Sequence, residues 1–274
     1  MLHGAIAAAL TPLRDGRLDA DAVAPYVAFL ETGGLDGLLA MGTTGEGMLF
    51  DLDERRAIAS AFVEAARGRL QVAVHAGMQS TSDTVALAEH AAAAGADAVA
   101  VIPPPYFLLD DAALLAHLAA AAHACAPVPF YVYEFERASG YAVSPAVLEQ
   151  LREAAPNLAG MKVSDTPWEA FEPYLEAGLD VFVGPEAFIG RGLERGAVGA
   201  VSALGSAFPE RIAAAVRHRS DELAELRATI ERFPRHAALK RVVARRGIPL
   251  APEVRPPLRQ LTPDEERALD TAVG

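Results

Sequence analysis

The sequence predicts an α/β fold, a (β/α)8 TIM barrel with a small C-terminal helical extension. Eight short apolar runs fall at about residues 4–9, 36–41, 70–75, 97–102, 129–133, 158–163, 180–183 and 198–202. They are apolar throughout instead of alternating, as strands are when a parallel sheet buries both faces. Amphipathic stretches with helix starts and stops separate them, the alternation of a barrel. An open, doubly wound sheet is the alternative, but no GxGxxG follows the first run.

The helix boundaries are legible in order. Asp51-Leu-Asp-Glu54 and Ser80-Thr-Ser-Asp83 read as capping boxes, the second with Asp in place of Glu. Ser144-Pro145 sets a cap before a first-turn proline. Gly33, Gly68, Gly95, Gly178 and Gly196 fall where helices should stop. After about residue 222 the strand signal ends, and helical patterns cover 221–233, 236–246 and 263–273, broken by Pro234 and the Pro-rich 249–257 segment. The expected organisation is a catalytic barrel over residues 1–221 and an extension over 222–274.

Composition narrows the function. A net charge of −12 argues against nucleic acid or an anionic membrane as partner. The Arg-rich run Lys240–Arg246 is therefore read as a solvated helix face or a contact between subunits. No apolar run has membrane-span length, and residues 1–10 lack a basic leader, so no secretory signal is expected. The single cysteine, Cys125, excludes an internal disulfide framework and is read as a small core residue. A reducing cytoplasm is the expected location.

Of the 24 basic residues only Lys162 and Lys240 are lysine; the other 22 are arginine. Lys162 ends the sixth run, in Leu158-Ala-Gly-Met-Lys162-Val-Ser-Asp165. Arginine keeps its proton, whereas a desolvated lysine can lose it and attack a carbonyl. Barrel enzymes collect their catalytic groups at the carboxyl ends of strands. Two further features end there. Gly42-Thr43-Thr44-Gly45-Glu46-Gly47 follows the second run, with hydroxyls and amides suited to a carboxylate. Tyr133 ends the fifth run and offers a phenol as proton relay. An amine, a relay and a carboxylate cradle at one mouth point to Schiff-base chemistry on a 2-oxo acid. His75 ends the third run and is read as a satisfied histidine; no tight His/Asp/Glu cluster calls for a metal.

These residues resemble the dihydrodipicolinate synthase and N-acetylneuraminate lyase family of pyruvate-dependent class I aldolases. The likeness is carried by Thr11-Pro12, Asp15-Gly16, Asp19, Gly37, the GTTGE block at 42–46 and Glu54-Arg55. It continues through Pro105-Tyr106, Tyr133, Gly140, Gly160-Met-Lys162, Arg255-Pro-Pro-Leu258 and Leu261-Thr262, nearly the whole chain. The resemblance implies that Lys162 forms a Schiff base with the ketone of pyruvate. Thr43 and Thr44 then hold the pyruvate carboxylate, and Tyr133 shuttles protons with help from the Thr44 hydroxyl. The backbone carbonyl of Val201 lines the same pocket. The imine is the electron sink, so no metal or other cofactor is implied. A homo-oligomer, as dimer or tetramer, is.

Departures from the family pattern bear on the second substrate, an aldehyde. Dihydrodipicolinate-forming members carry an arginine where this chain has Ala138, with Arg137 adjacent. Glu134-Phe135-Glu136 replaces the usual Asn-x-Pro, and two carboxylates at the mouth would disfavour an anionic partner. Phe107 stands where many members have a second tyrosine, beside Tyr106. Ser164 and Glu186 are the expected holders of substrate hydroxyls. The expected reaction makes or breaks a carbon–carbon bond of a 2-keto-3-deoxy sugar acid or related hydroxylated 2-oxo acid. Dihydrodipicolinate synthase activity and a non-catalytic 2-oxo acid binder are the alternatives.

Overall fold

A computed structural model describes all 274 residues. Eight parallel strands close into a barrel: β1 (Gly4–Ala8), β2 (Gly37–Ala40), β3 (Gln71–His75), β4 (Ala98–Val101), β5 (Phe130–Glu134), β6 (Leu158–Val163), β7 (Asp180–Val183) and β8 (Gly199–Ser202). Closure is made at β1, where Ile6 pairs with Gly37 on one side and with Val201 on the other. The fold is the expected barrel, and its strands fall within the expected runs almost throughout.

Outside lie α1 (Ala20–Thr32), α2 (Leu52–Ala66), α3 (Thr81–Ala94), α4 (Asp111–Cys125), α5 (Pro145–Ala154), α6 (Trp168–Phe171), α7 (Ile189–Glu194) and α8 (Pro209–His218). Asp51 and Glu54 form the reciprocal capping box that starts α2, a motif worth about 1 kcal/mol. At α3 only half the box exists. Ser80 accepts from the Asp83 N–H, but the shorter Asp83 side chain returns no bond. A two-residue antiparallel ribbon, Leu13–Arg14 with Arg17–Leu18, was not expected. Its turn residues Asp15 and Gly16 both take positive φ, 53° and 74°, as a type I′ hairpin requires.

Two apolar cores hold the layers together. The larger lies between strands and helices and includes Phe62, Phe130, Trp168, Phe171 and Cys125. The smaller fills the barrel interior with Ile6, Leu39, Tyr131, Phe182 and Val201 among others. Tyr131 meets Phe182 edge to face at 5.9 Å. A side chain at Gly160 would come within 2.8 Å of the Tyr131 ring and strike the Asp180 carbonyl. Glycine two residues before Lys162 thus lets an aromatic plug seal the barrel beneath the mouth.

Three helices follow the barrel: α9 (Ala224–Glu231), α10 (Arg235–Arg245) and α11 (Pro263–Val273). The Arg-rich run is tied down within the chain. Arg241 pairs with Glu266 and Asp270, Arg245 with Asp270, and Arg246 with Glu210. Lys240 corrects the solvated-face expectation most sharply, because its side chain is fully buried. No helix is long and apolar enough to cross a membrane.

Candidate active site

Strands β5 and β6 pair with Tyr133 opposite Lys162. Side chains alternate along a strand, so both project into the mouth while their successors, Glu134 and Val163, face the helices. The Lys162 amine sits 3.7 Å from the centroid of the Tyr133 ring. Both residues are nearly inaccessible, 8% and 3% exposed, so their charges interact with little screening by water. Burial alone would raise the Tyr133 pKa. The charge and hydrogen bonding of Lys162, with bonds from Thr43 and Ser164, outweigh it and hold the phenol below its ordinary value.

The wall behind this pair is His75, whose ring meets Tyr133 edge to face at 5.9 Å. Its Nδ1 lies 3.1 Å from the Met41 carbonyl, and the Ile102 N–H points at Nε2 from 3.3 Å. Those partners select the neutral tautomer protonated at Nδ1. Burial first, then the cations Arg55 and Lys162, push the imidazole down to about 3. His75 packs and orients; it is no base at neutral pH.

The Gly/Thr loop after β2 folds back on itself. Met41 and Glu46 adopt φ of 61° and 60°, and a side chain at Gly47 would collide with the Met41 carbonyl. The Thr11 hydroxyl ties the loop down at the Gly45 carbonyl, 2.6 Å away. This shape sets the Thr43 hydroxyl 3.1 Å from the Tyr133 hydroxyl. The expectation had given that bond to Thr44. Adjacent side chains diverge in a turn, and Thr44 is buried without meeting the Tyr133 hydroxyl. The Thr43 carbonyl in turn takes the Nε2 of His236 at 2.9 Å.

Other expected site residues divide. Ser164 follows β6 and helps lower the Tyr133 pKa by hydrogen bonding; a side chain at Gly184 would overlap its hydroxyl. Val201 contributes its side chain to the barrel interior. Glu186 is buried, and both its oxygens have protein partners. Oε1 accepts from the Ser202 hydroxyl at 2.7 Å and the Leu204 N–H at 3.2 Å, and Oε2 from Arg227 at 2.9 Å. It braces the segment after β7 against β8 and α9. Tyr106 and Phe107 meet edge to face at 4.9 Å and are 86% and 60% exposed. Within one protomer they lie outside the cluster around Lys162.

Of the two acids expected at the mouth, Glu134 is not there as a free charge. Glu134 is completely buried on the helix side, where Oε2 accepts from the Val143 N–H at 2.7 Å. Burial, with the neighbouring Asp165 adding to it, raises the Glu134 carboxyl to about 8, so it is largely neutral at pH 7. Asp165 is also raised by burial, and its Oδ1 accepts from the Glu136 N–H at 2.9 Å. Glu136, Arg137 and Ala138 sit exposed on a one-turn helix, Glu136–Ser139.

Sequence reasoning missed the contribution of α9 and α10. Arg235 is close enough to Tyr133 for their charges to interact, and its buried Nε has no hydrogen-bond partner. Lys240 places its amine 2.5 Å from the carboxylate of Glu46 in the GTTGE block. The signal for Lys240 was available: a second lysine in a chain that otherwise writes arginine.

Comparison with known proteins identifies the family. The sequence matches the dihydrodipicolinate synthetase family over residues 1–274. An uncharacterized DapA-like lyase of Halobacterium salinarum is 34% identical, covering 98% of this chain and 92% of its own. The 4-hydroxy-tetrahydrodipicolinate synthase of Thermus thermophilus is 31% identical over 98% and 94% of the two chains. Among solved structures, the N-acetylneuraminate lyase of Proteus mirabilis superposes with a TM-score of 0.88 at 28% identity, covering 99% of this chain and 97% of that one. Dihydrodipicolinate synthase from Aquifex aeolicus shares the fold, with a TM-score of 0.92 at 23% identity over 99% and 97%. The chain belongs to the dihydrodipicolinate synthetase family and is an enzyme of its lyase and aldolase kind.

Proposed function

We propose that Lys162 forms an imine with the C2 carbonyl of pyruvate and that the resulting enamine makes or breaks a carbon–carbon bond to an aldehyde. The observation that carries this reading is the Lys162 amine stacked 3.7 Å over Tyr133, whose hydroxyl meets Thr43. The amine adds to the ketone to give a carbinolamine. Tyr133 protonates the departing hydroxyl, and water leaves. The Tyr133 phenolate then takes a C3 proton from the iminium to give the enamine, which attacks the aldehyde carbon while Tyr133 passes that proton to the new alkoxide, and water hydrolyses the product iminium to free Lys162. Thr43 and Thr44 hold the carboxylate through hydroxyls and amides, and the Val201 carbonyl lines the pocket. The iminium nitrogen is the electron sink, so this route calls on no metal or nicotinamide.

The second substrate is read as a hydroxylated aldehyde, and the cleaved one as a 2-keto-3-deoxy sugar acid or a related 2-oxo acid. Ala138 supplies no cation where dihydrodipicolinate-forming members have arginine, and Ser164 offers a hydroxyl beside Tyr133. A second reading, condensation with a carboxylate-bearing aldehyde, is favoured by Arg235, whose charge interacts with Tyr133 and whose buried Nε has no hydrogen-bond partner. Pyruvate release from 2-keto-3-deoxy sugar acids, measured beside pyruvate consumption with aspartate semialdehyde, separates the two. Activity on the semialdehyde alone would replace the first reading by the second. The exposed Tyr106-Phe107-Leu108 patch suits contact with a second copy of this chain, as dimer or tetramer. The lone buried thiol of Cys125 suits a reducing cytoplasm.

A further inference from the structure

Helix α10 reaches the reaction centre from outside the barrel. His236 near its start meets the Thr43 carbonyl at 2.9 Å, and the same Thr43 carries the hydroxyl that meets Tyr133. One turn along the same helix face, the fully buried Lys240 sets its amine 2.5 Å from Oε1 of Glu46. That amine also donates to the Glu253 carbonyl at 2.6 Å, and the Arg255 N–H donates to Oε2 of Glu46 at 2.7 Å. Thr43 and Glu46 are the ends of one turn, closed by a 3.1 Å bond from the Glu46 N–H to the Thr43 carbonyl. A single face of α10 therefore grips both ends of the turn that presents the Thr43 hydroxyl.

Packing alone does not account for this. Two buried opposite charges lose much of their attraction to desolvation, and apolar side chains of similar volume often serve stability as well. What a buried ion pair adds is a fixed geometry. The loop needs one, because Glu46 holds a left-handed backbone conformation that a residue with a side chain disfavours. Neither His236 nor Lys240 touches the Tyr133 hydroxyl or the Lys162 amine, so both act through the loop.

We propose that His236 and Lys240 are positioning residues for the reaction, holding the Thr43 hydroxyl against Tyr133 from the helical extension. This rests on the imine reading above for its catalytic meaning. The test compares wild type with His236→Leu, which loses the donor, and His236→Gln, which keeps one. Lys240→Met is added, with thermal unfolding followed for every variant. Two readouts are used: the rate of borohydride trapping against pyruvate concentration, and the alkaline ionisation of Tyr133, isolated by difference from Tyr133→Phe.

His236→Leu should trap roughly tenfold or more slowly at saturating pyruvate while melting within a few degrees of wild type. Its Tyr133 should ionise at higher pH, because the Thr43 bond that helps lower it is no longer held. His236→Gln should restore both readouts to within about threefold and a few tenths of a pH unit. Wild-type behaviour of His236→Leu in both readouts, or equal impairment of the Leu and Gln variants, would overturn the proposal. If Lys240→Met fails to fold, the His236 pair still decides. If wild-type protein traps no adduct, the imine reading fails, and the Tyr133 titration alone supports or refutes the positioning.

Discussion

The hydroxyl of Thr43 lies 3.1 Å from that of Tyr133, joining the Gly/Thr loop after β2 to the end of β5. The bond crosses the mouth between strands that are not neighbours in the barrel. It fixes a phenol that the Lys162 amine already overlies. A proton relay is useful only while its hydroxyl is aimed, and Thr43 supplies that aim.

Thr43→Val, which keeps the shape and removes the hydroxyl, should lower the turnover rate by about a hundredfold, within the range for a lost proton-transfer group. Thr43→Ser should stay within about tenfold of wild type. The Tyr133 titration should move toward higher pH in the valine variant, since the bond from Thr43 is among those that lower it. Equal activity of the valine and serine variants would refute the role.

Glu134 makes a pH prediction. In the folded protein its carboxyl is raised from the ordinary 4.5 to about 8, chiefly by burial. Between those values the folded state holds a proton that the unfolded state has released, so stability falls as pH rises through the window. Glu134→Gln cannot ionise and should be spared that loss. Its melting temperature relative to wild type should climb between pH 5 and pH 8.5, by a few degrees for each kcal/mol removed. A constant difference across that range would contradict the buried, protonated carboxyl.

Gly47→Ala forces a Cβ against the Met41 carbonyl, and a backbone group leaves little room to yield. A loss of about 1–3 kcal/mol in unfolding free energy is expected, as for other overpacked sites. Weaker pyruvate binding should accompany it, because the same loop carries Thr43 and Thr44. Calorimetry and pyruvate titration check the two effects.

Tyr106 and Phe107 place two large aromatic rings in solvent. If a second copy of the chain covers them, Tyr106→Ser with Phe107→Ser should shift sedimentation toward smaller species while each protomer stays folded. An unchanged sedimentation coefficient would assign the patch elsewhere.

Much of this was legible in the sequence because it depends on local pattern. The eight apolar runs give the strands, and strand ends give Tyr133 and Lys162 side by side. Even the burial of Glu134 was implied by alternation: a tyrosine facing the mouth sends the next side chain to the helix side. The rest depends on partners brought together by the fold. Thr43 and Thr44 are chemically alike, and only the loop's path to Tyr133 separates them. Glu186 looked free until Ser202 and Arg227 arrived from other elements. His236 is 193 residues from the Thr43 carbonyl it meets, a distance no local pattern encodes.

The central claim is that Lys162 is the nucleophile, and intact mass after incubation with pyruvate and borohydride tests it directly. The account predicts one reduced pyruvyl adduct per chain, absent from a folded Lys162→Ala control. No adduct on folded wild-type protein, or an adduct that persists in the control, would contradict it.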